Sequence, residues 1–196
     1  MMEIASTRYA GKENEKRKFL SQIEIEQLIA AVHEGKNSIR DRCLLLMCFI
    51  HGLRVSELRS LRLQDIDLTS HRIHISRLKN GFSVQHPIQP RERQALLNWL
   101  AQRANYPDAN SPWLFLSRHG GQISRQQLYR LMRMYGEMAG ISVQVHPHML
   151  RHSCGYALAD NGVDTRLIQD YLGHKNIQNT VIYTATNVER FRTISI

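Results

Sequence analysis

The apolar residues of the chain recur mostly at helical spacing and divide it into a series of short helices. Residues 21–34 begin with Ser21 and carry Glu24 three positions later, which is the signature of a capping box. Residues 37–52 begin at Asn37 or Ser38 and end at Gly52. Further helices are predicted over residues 54–61, 91–104, 124–140, 147–162, 164–174 and 176–186.

Between residues 64 and 88 the period changes from helical to alternating. Residues 72–76 and 82–88 alternate as strands do, and the Asn80-Gly81 pair between them is a strong signal for a hairpin turn. Residues 64–68 are a candidate third strand, and residues 112–117 form a short apolar segment. The pattern predicts a mostly α-helical α+β fold with a small antiparallel three-stranded sheet.

Composition and charge narrow the class of protein. The 196 residues are 42% hydrophobic, which suffices for one domain with a sizeable core. The formal net charge is +9, and a protein this basic usually meets a polyanion, with nucleic acid as the leading candidate. A merely soluble basic surface is the plainer alternative. Of the 26 cationic residues 20 are Arg, whose planar fork suits phosphate oxygens.

The cysteines and the longest apolar run indicate the compartment. Cys43, Cys48 and Cys154 are odd in number, and two of them lie in an apolar run, so we expect buried thiols in a reducing compartment. The run itself, residues 43–50, is too short to span a membrane, and we expect no signal peptide. A cytoplasmic protein without a membrane partner is therefore expected.

Residues 146–156, HPHMLRHSCGY, concentrate side chains that carry chemistry. His146, His148 and His152 are three candidate zinc ligands, but the stretch has no acidic residue to act as a general base, so this interpretation is weak. In a helix that begins at Pro147, His148 and Arg151 share a face. A titratable group beside a permanent cation is a suitable pair for binding a phosphate. The interpretation requires that other parts of the chain supply the remaining residues of a phosphoryl-transfer site.

Further candidates for such a site stand at the ends of predicted helices or at the hairpin, where side chains are free to project. They are Arg54 and Glu57 in HGLRVSEL, Lys79 in RLKNGF, His174 in YLGHKN and Tyr183 in NTVIYTAT. Each alone has a plain explanation as a surface cation, a solvated turn residue, a helix cap or a core aromatic residue. Their order along the chain is more informative than any one of them.

In that order the motifs GLRVSEL, the hairpin lysine, HPHMLRHSCGY, DYLGH and TVIYT resemble those of the tyrosine recombinase (phage integrase) family. The likeness covers about residues 18–190, and RLKNGFS, HPHMLRHSCGY and DTRLIQDYLGH are most similar to the small fimbrial phase-variation recombinases, the type 1 fimbriae regulatory proteins. It implies a tyrosine recombinase catalytic domain over residues 19–196, without a separate core-binding domain, after a basic flexible lead at residues 1–18.

The resemblance implies a site-specific recombinase that cleaves and rejoins DNA through a 3′-phosphotyrosyl intermediate, with no metal or nucleotide cofactor. Tyr183 would be the nucleophile, and a phenol with a pKa near ~10 needs a base or a positive field to attack at neutral pH. His148 would be the base or proton carrier. Lys79 would protonate the departing 5′ oxygen.

The same resemblance implies a set of residues that hold the phosphate. Arg54 and Arg151 would clamp its two non-bridging oxygens and neutralise the charge of the transition state. His174 would donate a further hydrogen bond to a phosphate oxygen. Glu57 would orient the arginine or histidine groups from behind.

Two other classes of function remain open. A non-catalytic DNA-binding transcriptional regulator would read DNA with the helix over residues 124–140, where Arg125, Arg130 and Arg133 are guesses at DNA contacts. A complete catalytic set is unnecessary in such a regulator, and no second helix stands at helix-turn-helix spacing before residue 124. A metal-dependent nuclease would use the histidine cluster. A DNA-relaxing activity like that of type IB topoisomerases is closely related to recombination and belongs with the first interpretation.

The partners follow from the reaction that the resemblance implies. They are double-stranded DNA with inverted-repeat sites, further copies of the chain and DNA-bending accessory proteins. Strand exchange between two duplexes needs four cleavages, so a homo-tetramer on DNA is expected, associated with the nucleoid in the cytoplasm. Inversion of a promoter-bearing element that controls fimbrial phase variation rests on the family likeness, since the residues alone indicate strand cleavage and joining.

Overall fold

The computed structural model describes residues 17–33, 35–77 and 83–185. Its helices in these ranges are α1 (Gln22–Ala30), α2 (Ser38–Ile50), α3 (Val55–Ser60), α4 (Pro90–Arg103), α5 (Arg125–Met138), α6 (Pro147–Asp160), α7 (Thr165–Leu172) and α8 (Gln178–Thr184). The predicted helices are all confirmed, with ends that differ by a few residues. The predicted Asn80-Gly81 turn and Lys79 lie outside the described residues.

A small antiparallel sheet joins α3 to α4. Its strands are β1 (Ile66–Asp67), β2 (Arg72–Ile75) and β3 (Val84–Pro87), in the order β1-β2-β3, and a 3-10 turn at Leu63–Asp65 precedes β1. Ile73 pairs with Ile66 on one side and with His86 on the other. Ile73 and Ile75 point into the core, as the alternating pattern predicts. The predicted three-stranded sheet is confirmed, whereas residues 112–117 contribute isolated bridges.

Local side-chain signals fix several helix ends. The Ser21 hydroxyl accepts a hydrogen bond from the Glu24 backbone N–H at 3.3 Å, and the Glu24 carboxylate accepts one from the Ser21 N–H at 2.8 Å. The predicted capping box is therefore present. Asp164 caps α7 by accepting hydrogen bonds from the N–H groups of Arg166 and Leu167.

The apolar helix α2 is the centre of the core. It packs against α1, α3, α4 and α6, and its apolar residues from Cys43 to Cys48 are buried. A smaller apolar cluster joins α6, α7 and α8 and includes Cys154. All three cysteines are buried free thiols, as expected. Across the described ranges, the helices are too short or too polar for any of them to cross a membrane.

Candidate active site

A single buried carboxylate, that of Glu57 in the first turn of α3, collects three arginines. One of its oxygens accepts a hydrogen bond from the Arg54 guanidinium at 2.7 Å, and the other accepts one from the Arg77 guanidinium at 2.7 Å. A guanidinium nitrogen of Arg151 lies 3.9 Å from the second oxygen. Burial acts to raise the pKa of Glu57, but Arg77, the Arg54 N–H and the other arginines outweigh it and hold that pKa below its ordinary value.

Arg54 and Arg151 approach the end of α7 from two other helices. Arg151, on α6, is buried and donates to the carbonyl oxygens of Gly52 at 2.5 Å and Leu172 at 2.7 Å. Burial lowers its pKa to about 10, so it remains a cation at neutral pH. Arg54 keeps 32% of its side chain exposed and has a guanidinium nitrogen 3.4 Å from the Gly173 carbonyl oxygen. The two predicted clamp residues are thus brought together, one buried and one accessible.

The turn after α7 depends on a glycine. Gly173 has a φ of 65°, and a Cβ at this position would lie 2.8 Å from the Arg77 side chain. His174 follows at once and its Nδ1 is 2.8 Å from the Thr180 hydroxyl oxygen. Burial, and after it the charge of Arg151, lowers the pKa of His174 to about 3, so the imidazole is neutral at pH 7.

Tyr183 lies on α8 beside these groups and is only 1% exposed. Its ring packs on α6, where a Cβ added to Gly155 would lie 2.6 Å from the ring carbons. The ring centroid is 6.3 Å from that of His174, and the hydroxyl oxygen is 2.9 Å from Nδ1 of His152. Burial raises the pKa of Tyr183 to about 12 even though Arg151 and Arg54 act to lower it.

His148 occupies a different part of the site. It is exposed on the first turn of α6, one turn before His152. Burial and then the charges of Arg151, Arg125 and Arg54 lower its pKa. His148 thus lies within the field of these arginines, while the imidazole in contact with the Tyr183 hydroxyl is that of His152.

Two residues contact this site in ways that the sequence does not predict. Arg77 has a fully buried side chain, and besides Glu57 it contacts the Tyr171 carbonyl oxygen. It continues the inward alternation of Ile73 and Ile75, and an arginine at an inward position of a strand is a signal for a buried acidic partner. His152 was considered only as a metal ligand.

A second polar cluster lies in the core next to the site. His51 contacts the Glu92 carboxylate through Nε2, and its Nδ1 is 3.1 Å from Nδ1 of His86. The His86 ring stacks on Tyr171 with a centroid distance of 3.8 Å. Burial lowers the pKa of His86 to about 3. The cluster links α2, β3 and α4 directly behind Gly52, the residue whose carbonyl holds Arg151.

The three candidate DNA contacts on α5 have different surroundings. Arg125 lies over the Tyr129 ring at 5.5 Å and is near enough to His148 to lower its pKa. Arg133 pairs with Glu137 at 2.9 Å, and Arg130 lines a separate cavity of about 270 Å³. Arg125 is therefore the one that borders the site.

Two further sequence-based interpretations concern a metal site and Lys79. Across residues 17–33, 35–77 and 83–185, no three or more histidine, cysteine, aspartate or glutamate side chains are arranged to hold a metal ion. Lys79 lies outside the described residues, and its role stays a prediction.

Comparison with known proteins identifies relatives over most of the chain. The model of the phage integrase family matches residues 18–190. The type 1 fimbriae regulatory protein FimB of Escherichia coli K12 is 56% identical over 179 residues, which cover 91% of this chain and 90% of FimB. FimE of the same strain, also a type 1 fimbriae regulatory protein, is 52% identical over 177 residues, which cover 90% of this chain and 89% of FimE.

Among solved structures, the fold matches that of the XerH site-specific recombinase bound to its palindromic difH substrate in a post-cleavage complex. The TM-score is 0.77 at 26% identity, over 91% of this chain and 52% of the XerH chain. The present chain thus spans about half the length of that recombinase.

Proposed function

The chain belongs to the phage integrase family, and we propose that it cleaves and rejoins DNA at specific sites through a 3′-phosphotyrosyl intermediate, inverting a promoter-bearing element that controls type 1 fimbriae. The observation that carries this proposal is the Glu57 carboxylate, which gathers Arg54 and Arg151 at the end of α7 beside His174 and Tyr183. The relatives FimB and FimE are both named type 1 fimbriae regulatory proteins, which supports the fimbrial part of the proposal.

In the proposed reaction, the guanidinium groups of Arg54 and Arg151 bind the two non-bridging oxygens of the scissile phosphate. They stabilise the charge that builds up in the transition state, an effect of about 3–4 kcal/mol for each well-placed donor. The neutral imidazole of His174 donates a further hydrogen bond. His148, which faces the same arginines, carries a proton at the phosphate.

Tyr183 supplies the nucleophilic oxygen and Lys79 the proton for the departing 5′ oxygen. The energy of the broken phosphodiester is kept in the phosphotyrosine, so that rejoining requires neither a metal ion nor a nucleotide. Since Tyr183 is 1% exposed, the site must open when DNA binds before its hydroxyl can reach a phosphate.

The proposed partners are double-stranded DNA with inverted repeats, three further copies of the chain and DNA-bending accessory proteins, at the nucleoid in the cytoplasm. A net charge of +9 supports binding through phosphate contacts, which we expect to weaken steeply with salt. Arg125, beside His148, is the α5 residue that best fits such a contact. Residues 19–196 act as the catalytic domain in this proposal, after a basic lead at residues 1–18.

The decisive experiment compares the wild-type protein with Tyr183→Phe. In cells without a related recombinase, both orientations of any DNA segment flanked by inverted repeats near the gene are scored by amplification. We expect wild type to invert a segment and Tyr183→Phe to leave it fixed. The purified variant should bind the repeats with unchanged affinity and form no covalent protein–DNA complex.

The outcomes separate the candidate functions. Covalent trapping by Tyr183→Phe would reject Tyr183 as the nucleophile. Binding by both proteins, with no cleavage and no inversion by either, would favour the non-catalytic regulator. Cleavage that stops when a chelator is added would favour the metal-dependent nuclease.

A further inference from the structure

The face of α6 that receives Tyr183 is shaped around its phenol. His152, Gly155 and Tyr156 are spaced i, i+3 and i+4 and therefore share this face. Gly155 leaves room for the Tyr183 ring, and Tyr156 meets that ring edge-on with a centroid distance of 5.1 Å. His152 completes the face with its Nδ1 2.9 Å from the Tyr183 hydroxyl oxygen, an ordinary hydrogen-bond length.

We propose that His152 is a catalytic residue that accepts the phenolic proton as Tyr183 attacks the DNA phosphate. The inference rests on the proposed function, because it assigns a role in the cleavage step. It requires the tautomer in which Nδ1 carries a lone pair and Nε2 carries the hydrogen. In that tautomer the Tyr183 hydroxyl donates and His152 accepts.

The step balances without an oxidant or a further co-reactant. A bond forms between the Tyr183 hydroxyl oxygen and phosphorus, while the bond between phosphorus and the 5′ oxygen breaks. The phenolic proton moves to Nδ1 of His152, and the departing 5′ oxygen takes a proton from Lys79, the proposed acid. In rejoining, the neutral Lys79 takes the proton of the attacking 5′ hydroxyl, the bond between phosphorus and the Tyr183 oxygen breaks, and His152 returns its proton to the leaving phenolate.

His152 is better placed for this task than His148. A general base must lie within hydrogen-bond reach of the proton that it removes, and His152 is the imidazole at that distance from Tyr183. His148 is exposed and faces Arg54, Arg125 and Arg151, a position that suits contact with the phosphate. Of the two histidines on α6, His152 thus serves the nucleophile and His148 serves the phosphate.

The surroundings keep His152 ready to accept a proton at neutral pH. Burial, and after it the charge of Arg151, lowers its pKa below the ordinary 6.5. The buried phenol has a pKa of about 12 and therefore does not ionise unaided. The titratable and charged groups around His152 are Tyr183 and His174 from the C-terminal part of the fold, Lys18 from the segment before α1, His146 just before α6, and His148 and Arg151 on α6.

The test is the pH dependence of single-turnover cleavage, on a nicked duplex that carries the repeats found in the inversion assay. His152→Asn keeps a hydrogen-bond acceptor near Tyr183 but cannot take its proton at these pH values. We expect it to bind DNA like wild type and to cleave about 10²–10⁴-fold more slowly. The wild-type rate should fall as the pH drops through the pKa of His152, which lies below the ordinary 6.5, and this fall should be absent from His152→Asn. The exposed His33→Gln is the matched control and should behave like wild type.

Cleavage by His152→Asn within a few-fold of wild type, or with the same acid limb, would overturn the proposal. A second measurement uses wild-type protein alone: the midpoint of the acid limb should coincide with the NMR titration of the His152 imidazole. A rate that stays constant through that titration would also overturn it. Failure of wild type to form any covalent complex would instead reject the proposed function itself.

Discussion

At the scale of single residues, the site depends on the Glu57 carboxylate more than on any one cation. Three guanidinium groups converge on Glu57, and their mutual repulsion would drive them apart without an anion among them. Glu57 also accepts the Arg54 backbone N–H at 2.8 Å, which fixes the start of α3 at the same time. One side chain therefore sets both the local backbone and the charge of the site.

The role of Arg77 in this arrangement can be tested by Arg77→Met, which keeps a long apolar side chain. The variant leaves the buried Glu57 carboxylate without one of its closest partners and the Tyr171 carbonyl oxygen without its donor. We expect the free energy of unfolding to fall by about 3 kcal/mol, as for other buried ion pairs that lose one member. Urea denaturation at neutral pH measures it.

The matched control is Arg91→Met, which removes an ion pair of similar geometry at the surface. Arg91 lies 2.7 Å from Glu26, but 48% of its side chain is exposed, so its loss should cost less than about 1 kcal/mol. Equal losses in the two variants would show that Arg77 is not a special support of the site.

At the scale of elements, the residues of the candidate site lie at the ends of helices and on α6. Helix ends follow from short-range signals, which is why the capping box at Ser21 and the stop of α2 just before Gly52 were predictable from the sequence. The ordered motifs likewise grouped Arg54, Arg151, His174 and Tyr183, which the structure brings near the end of α7, while their roles in a reaction stay predictions. The contacts between elements were not predictable in this way.

Two of those contacts show the reason. Arg77 meets Glu57 across 20 positions, and His152 meets Tyr183 across 31. No local pattern determines which residue of a helix face meets another element, because that depends on how the elements pack. The alternation that buries Ile73 and Ile75 continues past β2 and predicts that Arg77 is buried too. It does not predict that Arg77 pairs with Glu57.

The packing of α8 on α6 can be tested by Gly155→Ala. The added methyl group would lie 2.6 Å from carbon atoms of the Tyr183 ring, so the ring must move. We expect a loss of about 1–3 kcal/mol in stability from overpacking. Cleavage should slow by about 10²-fold through the displaced hydroxyl, with DNA affinity unchanged. Single-turnover cleavage and a binding titration on the same duplex measure the two effects.

Gly35→Ala is the control for this substitution. A Cβ at Gly35 meets nothing within 4 Å, so stability should stay within about 0.5 kcal/mol and cleavage at the wild-type rate. A Gly155→Ala protein that cleaves as fast as Gly35→Ala would show that the ring of Tyr183 need not rest on α6 for the reaction.

At the scale of the whole molecule, the fold lowers the pKa of several histidines and so favours their neutral form. Within the described residues, burial is the largest cause of a lowered pKa at each member of this group, which comprises His86, His146, His148, His152 and His174. Neighbouring cations or other histidines add to the effect. A basic protein of net charge +9 thus avoids further positive charge around its site.

The sign of the consequence for stability follows from proton binding. Below the ordinary pKa of 6.5 the unfolded chain binds protons at these positions, while the folded protein resists doing so. The stabilisation is therefore complete above about pH 6.5 and is lost as the pH falls towards the folded pKa values, about 3 for His86 and His174. Asp41, whose pKa burial raises, acts in the opposite direction in more acidic solution.

We therefore expect the melting temperature to be nearly constant from about pH 8 to pH 7 and to fall steadily towards pH 5. His86 alone should contribute about 2 kcal/mol to this loss, because its ring is buried against Tyr171. His86→Phe keeps a ring in that place and cannot be protonated, so its melting curve should depend less steeply on pH, whatever its absolute stability. His33→Gln, at an exposed position, should keep the wild-type slope. Parallel pH profiles for wild type and His86→Phe would mean that the buried histidine is protonated in the folded protein at no cost.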